Sequence, residues 1–266
     1  MLTRILTALV LAAILIGVLW FGPPWSARAL FGLFISGGAW EWSAFLGAGT
    51  RASRLAFVLT VALLATAARV LLANTPEFTL LLEVSVAWWL VAFLWLLLAP
   101  QRVAVWSAGL AGVLALVPAW VVLTRMVELW PRGAQWALFT LALAFAADTG
   151  AYFAGRAFGR VKLAPQVSPG KTWEGVFGGL AAALLVGLVA ARAFGLASAS
   201  FLPLCLLAAA FSVVGDLTES MFKRATGIKD SGRLFPGHGG VLDRVDSVLA
   251  AAPVLCLGLI WLRVGA

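Results

Sequence analysis

Nine stretches of about 20 residues run through this chain with almost no charge, the length a helix needs to cross the hydrocarbon core of a bilayer. They fall at about 4–21, 27–47, 54–72, 78–98, 103–124, 134–154, 174–194, 200–222 and 246–263. Inside hydrocarbon a spanning segment must satisfy its own backbone, and the alternating strands of a barrel would not give runs this long. The fold class is therefore an all-α integral membrane protein, a polytopic bundle of about nine transmembrane helices. The 13 tryptophans and 27 glycines fit that setting, as interfacial aromatics and as small residues between helices. The first run follows Arg4 and has the look of a secretory signal, but apolar runs continue to the last residues, so it is read as a retained first span. Cys205 and Cys256 lie inside apolar runs and read as buried, inert thiols rather than a disulfide.

The net charge of +8 does not point to nucleic acid. In a membrane chain, excess Lys and Arg report topology and attraction to anionic lipid. With nine spans, the N-terminus and the loops after spans two, four, six and eight share one face. That face receives 13 of the 19 basic residues, among them all four lysines. Arg28, Arg69, Arg125, Arg132, Arg192 and Arg263 fall to the other. The positive-inside rule makes the first face cytoplasmic and puts the C-terminus on the opposite side. No internal repeat or dividing linker stands out. The expectation is one membrane domain over 1–266, with a helical scaffold over 1–130 and catalytic helices and cytoplasmic loops over 134–263.

Acidic residues divide the chain more sharply. Of the 11, Glu41, Glu77, Glu83 and Glu128 are scattered through the first half, mostly near span ends. Glu41 is the exception, set mid-span in GGAWEWS, and its role is open between a structural partner and a functional group. The second half clusters its acids. Asp148 sits well inside an apolar helix, with Tyr152 one turn on. Asp216, Glu219, Ser220 and Lys223 share one face of span eight, and Asp243, Asp246 and Ser247 repeat the spacing at the start of span nine. A carboxylate in hydrocarbon costs several kcal/mol (roughly 3) unless it meets a partner, water or a metal. One such acid could be an interhelical ion pair; three clusters facing one side point to a site.

Paired aspartates beside lysines and arginines suit Mg²⁺ and phosphate. Carboxylates offer hard oxygen ligands, the cations neutralise phosphate charge, and the glycines at 232, 237, 239 and 240 let backbone N–H groups approach an anion. Two motifs are discounted. Gly170-Lys171-Thr172 ends like a Walker A loop, but Pro165 stands where its first glycine belongs. Ser168 or Thr172 can instead cap span seven, with Lys171 free to reach a phosphate. His238 is the only histidine and has no companion ligands for zinc, so it reads as a phosphate or carboxylate partner or a turn residue.

Ser220-x-Phe222-Lys223-Arg224, then Lys229-Asp230-x-Gly232, then Phe235-Pro236-Gly237-His238-Gly239-Gly240-Val241-x-Asp243-Arg244-Val245-Asp246 resembles, without a gap, the signature of the phosphatidate cytidylyltransferases (CDP-diglyceride synthetases). AADTGAYFAGRAFGR, SPGKTWEG and GDLTES precede it in the family's order, so the resemblance runs from about 144 to 247. The first half is similar only in being hydrophobic and multi-spanning. Gly170 stands where a second lysine is often expected.

The resemblance implies that CTP and phosphatidic acid give CDP-diacylglycerol and pyrophosphate with Mg²⁺, a second cation at a paired site being left open. It implies Asp216 and Asp243 as direct metal ligands, with Asp148, Glu219 and Asp246 as further ligands or orienters. Lys171, Lys223, Arg224, Lys229 and Arg244 would hold the CTP phosphates and lipid head group, with Ser168, Thr172, His238, Gly239 and Gly240 lining the nucleotide site. A homodimer is also implied, while the short loops and compact single domain point to a bacterial plasma membrane. A CTP-dependent polyprenol or phytol kinase would attack the γ-phosphorus with an alcohol and gain from a general base. An ion-coupled transporter would give Asp148 and Asp216 to the coupling ion. The gapless signature argues against the first, and the gathering of polar residues at one face and in two loops argues against the second.

Overall fold

The structure is a computed structural model that describes residues 2–232 and 239–264. Among them are nine α-helices: α1 (Leu2–Phe21), α2 (Pro24–Trp42), α3 (Arg51–Leu71), α4 (Glu77–Leu98), α5 (Val105–Leu129), α6 (Gly133–Phe158), α7 (Trp173–Phe194), α8 (Ser198–Ala225) and α9 (Leu242–Trp261). Eight of the helices among the described residues, all but α1, are long and apolar enough to cross a membrane. Their bounds follow the apolar runs to within a few residues, so the expected all-α polytopic membrane fold is what the chain adopts. Large apolar side chains point outward, as on α3, where Leu59, Leu63 and Val70 are 66–70% exposed. In a bilayer such a face meets lipid tails as apolar as itself.

Local chemistry sets several helix ends. Thr50 caps α3 in a reciprocal box with Ser53, each side chain accepting from the other's backbone N–H. Gly195 ends α7 at φ +72°, the left-handed conformation that glycine adopts without strain.

The chain divides into two compact units. Residues 1–81, 103–138 and 222–245 form the first, built around α5, against which α2 and α3 pack. Trp42 anchors it: its ring meets Phe45 and Phe222, and its Nε1–H donates to the Ala108 carbonyl at 2.7 Å. Gly112 makes room for that indole, since a Cβ there would lie 2.6 Å from the ring nitrogen. Glu128, its side chain largely covered, accepts from Arg28 at 2.7 Å and from Arg69, which answers two of the first half's arginines with one acid.

Residues 82–102, 139–221 and 246–266 form the second unit. There α6 and α7 approach closely through Gly150, Gly178 and Gly179, where an added Cβ would strike the facing helix, at Ala182 in the first case. Between them lies an element the sequence did not announce, an antiparallel hairpin of β1 (Lys162–Ala164) and β2 (Ser168–Thr172). Neither strand alternates apolar and polar residues. Their ends are tied instead by Trp173 N–H donating to the Val161 carbonyl and Val161 N–H donating to the Glu174 carboxylate.

Candidate active site

In the second unit, four helical acids and one strand lysine come together. Asp148 is on α6, Lys171 on β2, Asp216 and Glu219 on α8 and Asp246 on α9. Lys171 Nζ lies 2.5 Å from Asp216 Oδ2, both side chains about a quarter exposed. The Ser247 hydroxyl donates to Asp148 at 2.7 Å, and its N–H donates to Asp246 at 2.8 Å. Asp148, Asp216 and Asp246 lie close enough to repel one another, with Lys171 opposing them. Asp246 and Glu219 are buried. The spacing of Asp216 and Glu219 puts both on the α8 face turned to α9. Gly215 lets the two helices meet, because a Cβ there would collide with the Asp246 carbonyl and stand 3.1 Å from Ala250 Cβ.

In the first unit, Asp243 organises a second group. Its Oδ1 accepts from Lys223 Nζ at 2.7 Å, and its Oδ2 accepts from the Gly240 and Ser231 N–H groups at 2.8 and 3.3 Å. Gly239 is at φ +82°, a conformation that suits glycine, and its missing Cβ leaves room for the Asp243 carboxylate. Because α9 begins at Leu242, ahead of the apolar run, Asp243 stands in its first turn, where a carboxylate favours the helix dipole.

Other expected residues are placed more plainly. Thr172 caps α7, its hydroxyl accepting from Gly175 N–H at 3.2 Å, while Ser168 opens β2 and does not cap. Arg224, Lys229 and Arg244 are exposed, at the end of α8, in the turn beyond it and in the first turn of α9. His238, with Phe235, Pro236 and Gly237 of the signature, lies outside the described residues.

The profile of the Cytidylyltransferase family matches residues 2–261. The chain belongs to the cytidylyltransferase family. Among relatives, it is 44% identical to a Pseudomonas aeruginosa protein named phosphatidate cytidylyltransferase, covering 97% of this chain and 96% of that one. A Haemophilus influenzae protein of the same name is 41% identical, with 94% and 95% covered. A Brucella suis protein of that name is 51% identical over 48% of this chain and 47% of its own.

For a cytidylyltransferase-family chain the donor set is suited to a hard divalent cation: oxygen ligands in excess, with one lysine among four acids. Among the described residues no three or more His, Cys, Asp or Glu side chains are gathered as a ready-made metal cage. Mg²⁺ is usually held by one or two carboxylates together with substrate phosphates. Ser231 and Glu41 entered the groups without being expected there, and Ser247, already in the α9 cluster, takes a role the spacing did not specify. Ser247 holds Asp148, Ser231 bridges to Asp243, and Glu41 on α2 accepts from Ser231 and from two backbone amides at the start of α9. The sequence offered Ser247 through its 0, 3, 4 spacing with Asp243 and Asp246, and offered Glu41 only as an acid in an apolar span.

Proposed function

We propose that this chain is a phosphatidate cytidylyltransferase, joining CTP and phosphatidic acid to give CDP-diacylglycerol and pyrophosphate. The observation that carries the reading is the 44% identity over 97% of the chain to the Pseudomonas protein of that name. The residue chemistry supports it. An oxygen of the lipid phosphate attacks the α-phosphorus, and the bond from that phosphorus to the bridging oxygen breaks, its electrons leaving on pyrophosphate. The nucleophile is already an anion at neutral pH, so no general base is called for. What the protein must supply is alignment and relief of crowded negative charge.

Asp216 and Asp246, with Asp148 and Glu219 beside them, are the residues we assign to Mg²⁺. When bound, the ion neutralises phosphate oxygens and helps set the in-line geometry. Lys171, now against Asp216, is placed to exchange that carboxylate for a phosphate oxygen. The resemblance made Asp243 a direct ligand as well. Its three hydrogen bonds favour a different task, holding Lys223 and the preceding turn in position for the nucleotide. Lys223, Arg224, Lys229 and Arg244 we keep for phosphate charge, the role that the family resemblance implied.

We place the protein as a homodimer in a bacterial plasma membrane, its N-terminus and polar loops cytoplasmic and its C-terminus opposite. The basic asymmetry between the two sets of loops supports that orientation. The test is transfer from radiolabelled CTP to dioleoyl phosphatidate by detergent-purified protein with Mg²⁺. Label from the α-phosphorus reaching the lipid phase is the expected result. Label reaching lipid only from the γ-phosphorus would make the protein a kinase instead.

A further inference from the structure

Glu41 is the penultimate residue of α2 and is 7% exposed within an apolar span, where a carboxylate is tolerated only if its lone pairs are used. They are used by a segment some 200 residues away in the chain. Oε1 accepts from Val241 N–H at 3.0 Å, and Oε2 accepts from Leu242 N–H at 2.8 Å and from the Ser231 hydroxyl at 3.0 Å. The two amides are among those that every helix N-terminus leaves without an intrahelical partner, so α2 supplies α9 with the acceptor that a capping residue would.

The fit around this carboxylate is close. Gly232 and Gly240 stand on either side of residues 233–238, and a Cβ at either would collide with the Glu41 carboxylate. One turn earlier on α2, Gly37 and Gly38 face Val241 and Leu242, where added Cβ atoms would lie 3.1 and 3.6 Å from the two side chains. Next to Glu41, at the end of α2, Trp42 packs on Phe222. The GGAWEW stretch of α2 is therefore shaped to receive both edges of the signature segment.

Ser231 carries the connection onward. Its hydroxyl donates to Glu41 while its N–H donates to Asp243 Oδ2, the same oxygen that accepts from Gly240 N–H. Asp243 in turn accepts from Lys223. Glu41, Ser231, Asp243 and Lys223 form one hydrogen-bonded series, all within the first unit.

We propose that Glu41 is a positioning residue of the transfer reaction: it fixes the Ser231–Asp243 turn and the start of α9, and so sets Lys223 for the polyphosphate of the nucleotide. The inference rests on the cytidylyltransferase reading above. It assigns to the N-terminal half a part in nucleotide binding that none of its motifs declared.

The test compares wild type with Glu41→Gln and Ser231→Ala in detergent. It measures kcat, KM for CTP and for phosphatidate, Tm, and CTP binding by equilibrium dialysis. Gln keeps the volume but replaces one acceptor oxygen with a donor, facing either the α9 amides or the serine. Ser231→Ala removes one hydroxyl and leaves the helix cap intact. The expected result is that Glu41→Gln raises KM and Kd for CTP about tenfold, the equivalent of one charge-assisted hydrogen bond, with KM for phosphatidate within about twofold. Ser231→Ala moves the same two quantities in the same direction by about threefold. A lowered Tm with unchanged CTP parameters in both variants would make Glu41 a stability residue only and overturn the proposal. So would equal losses for both substrates. If Glu41→Gln does not fold, Ser231→Ala decides alone. Absence of cytidylyl transfer by wild type would sink the functional reading instead, and the dialysis arm would still report whether Glu41 acts on nucleotide binding.

Discussion

Asp216 and Asp243 look interchangeable in the sequence, each opening an acid–x–x–acid or acid–x–x–Asp pattern on a helix, yet their surroundings differ. Asp216 meets one lysine and the charges of Asp148 and Asp246; Asp243 accepts from one lysine and two backbone amides. A carboxylate among other carboxylates gains most from a divalent ion, whereas one bonded to N–H groups gains from keeping them. Asp216→Asn should therefore raise the Mg²⁺ concentration for half-maximal activity at least about tenfold, the scale on which altered metal sites respond. Asp243→Asn should lower kcat/KM for CTP about tenfold while leaving that Mg²⁺ midpoint within about twofold. Activity titrated against Mg²⁺ for both variants checks this. A shifted midpoint in Asp243→Asn would return that residue to the metal.

Between elements, glycine decides where acids can meet. A Cβ on Gly215 would meet the Asp246 carbonyl, a backbone atom that cannot swing aside, so Gly215→Ala must push α8 and α9 apart. The expected cost is about 1–3 kcal/mol of stability, with a further loss of activity as Asp216 and Asp246 separate. Gly170→Ala, by contrast, enters open space and should stay within about 0.5 kcal/mol. Thermal unfolding and turnover of the two proteins side by side would show it, and equal behaviour would mean that the helix approach does not govern the site. The same contrast explains what the sequence made legible. Helices were readable because hydropathy is local and each span carries its own signal. Asp148, Asp216 and Asp246 were readable because charge in an apolar run is conspicuous, and Lys171 because it stands in the SPGKTWEG motif. The hairpin was not, since SPGKT lacks strand alternation and its ties come from Val161, Trp173 and Glu174. The partner of Glu41 was not either, because no local pattern says which helix a lone acid will face across some 200 residues. Hydropathy also set the start of span nine at about 246, as Asp243 and Arg244 are polar residues within the first turn of α9.

For the molecule as a whole, direction in the membrane is the property most exposed to test, because it follows from charge alone. With successive loops on alternate faces, 13 of the 19 basic residues would share the face of the signature loop. CTP is a cytoplasmic anion of high charge, so a site for it must open to the face where those cations lie. The two native thiols, Cys205 and Cys256, are buried and offer little to a surface reagent. Single cysteines added in loops can therefore be read cleanly. Ala197→Cys, between α7 and α8, should react with a membrane-impermeant maleimide applied to intact cells. Gln101→Cys, between α4 and α5, should react only after the membrane is opened. The reverse pattern would put the acids, the lysines and the signature loop on the side without CTP. That outcome would be incompatible with cytidylyl transfer however well the residues match, which makes the labelling a test of function as much as of orientation.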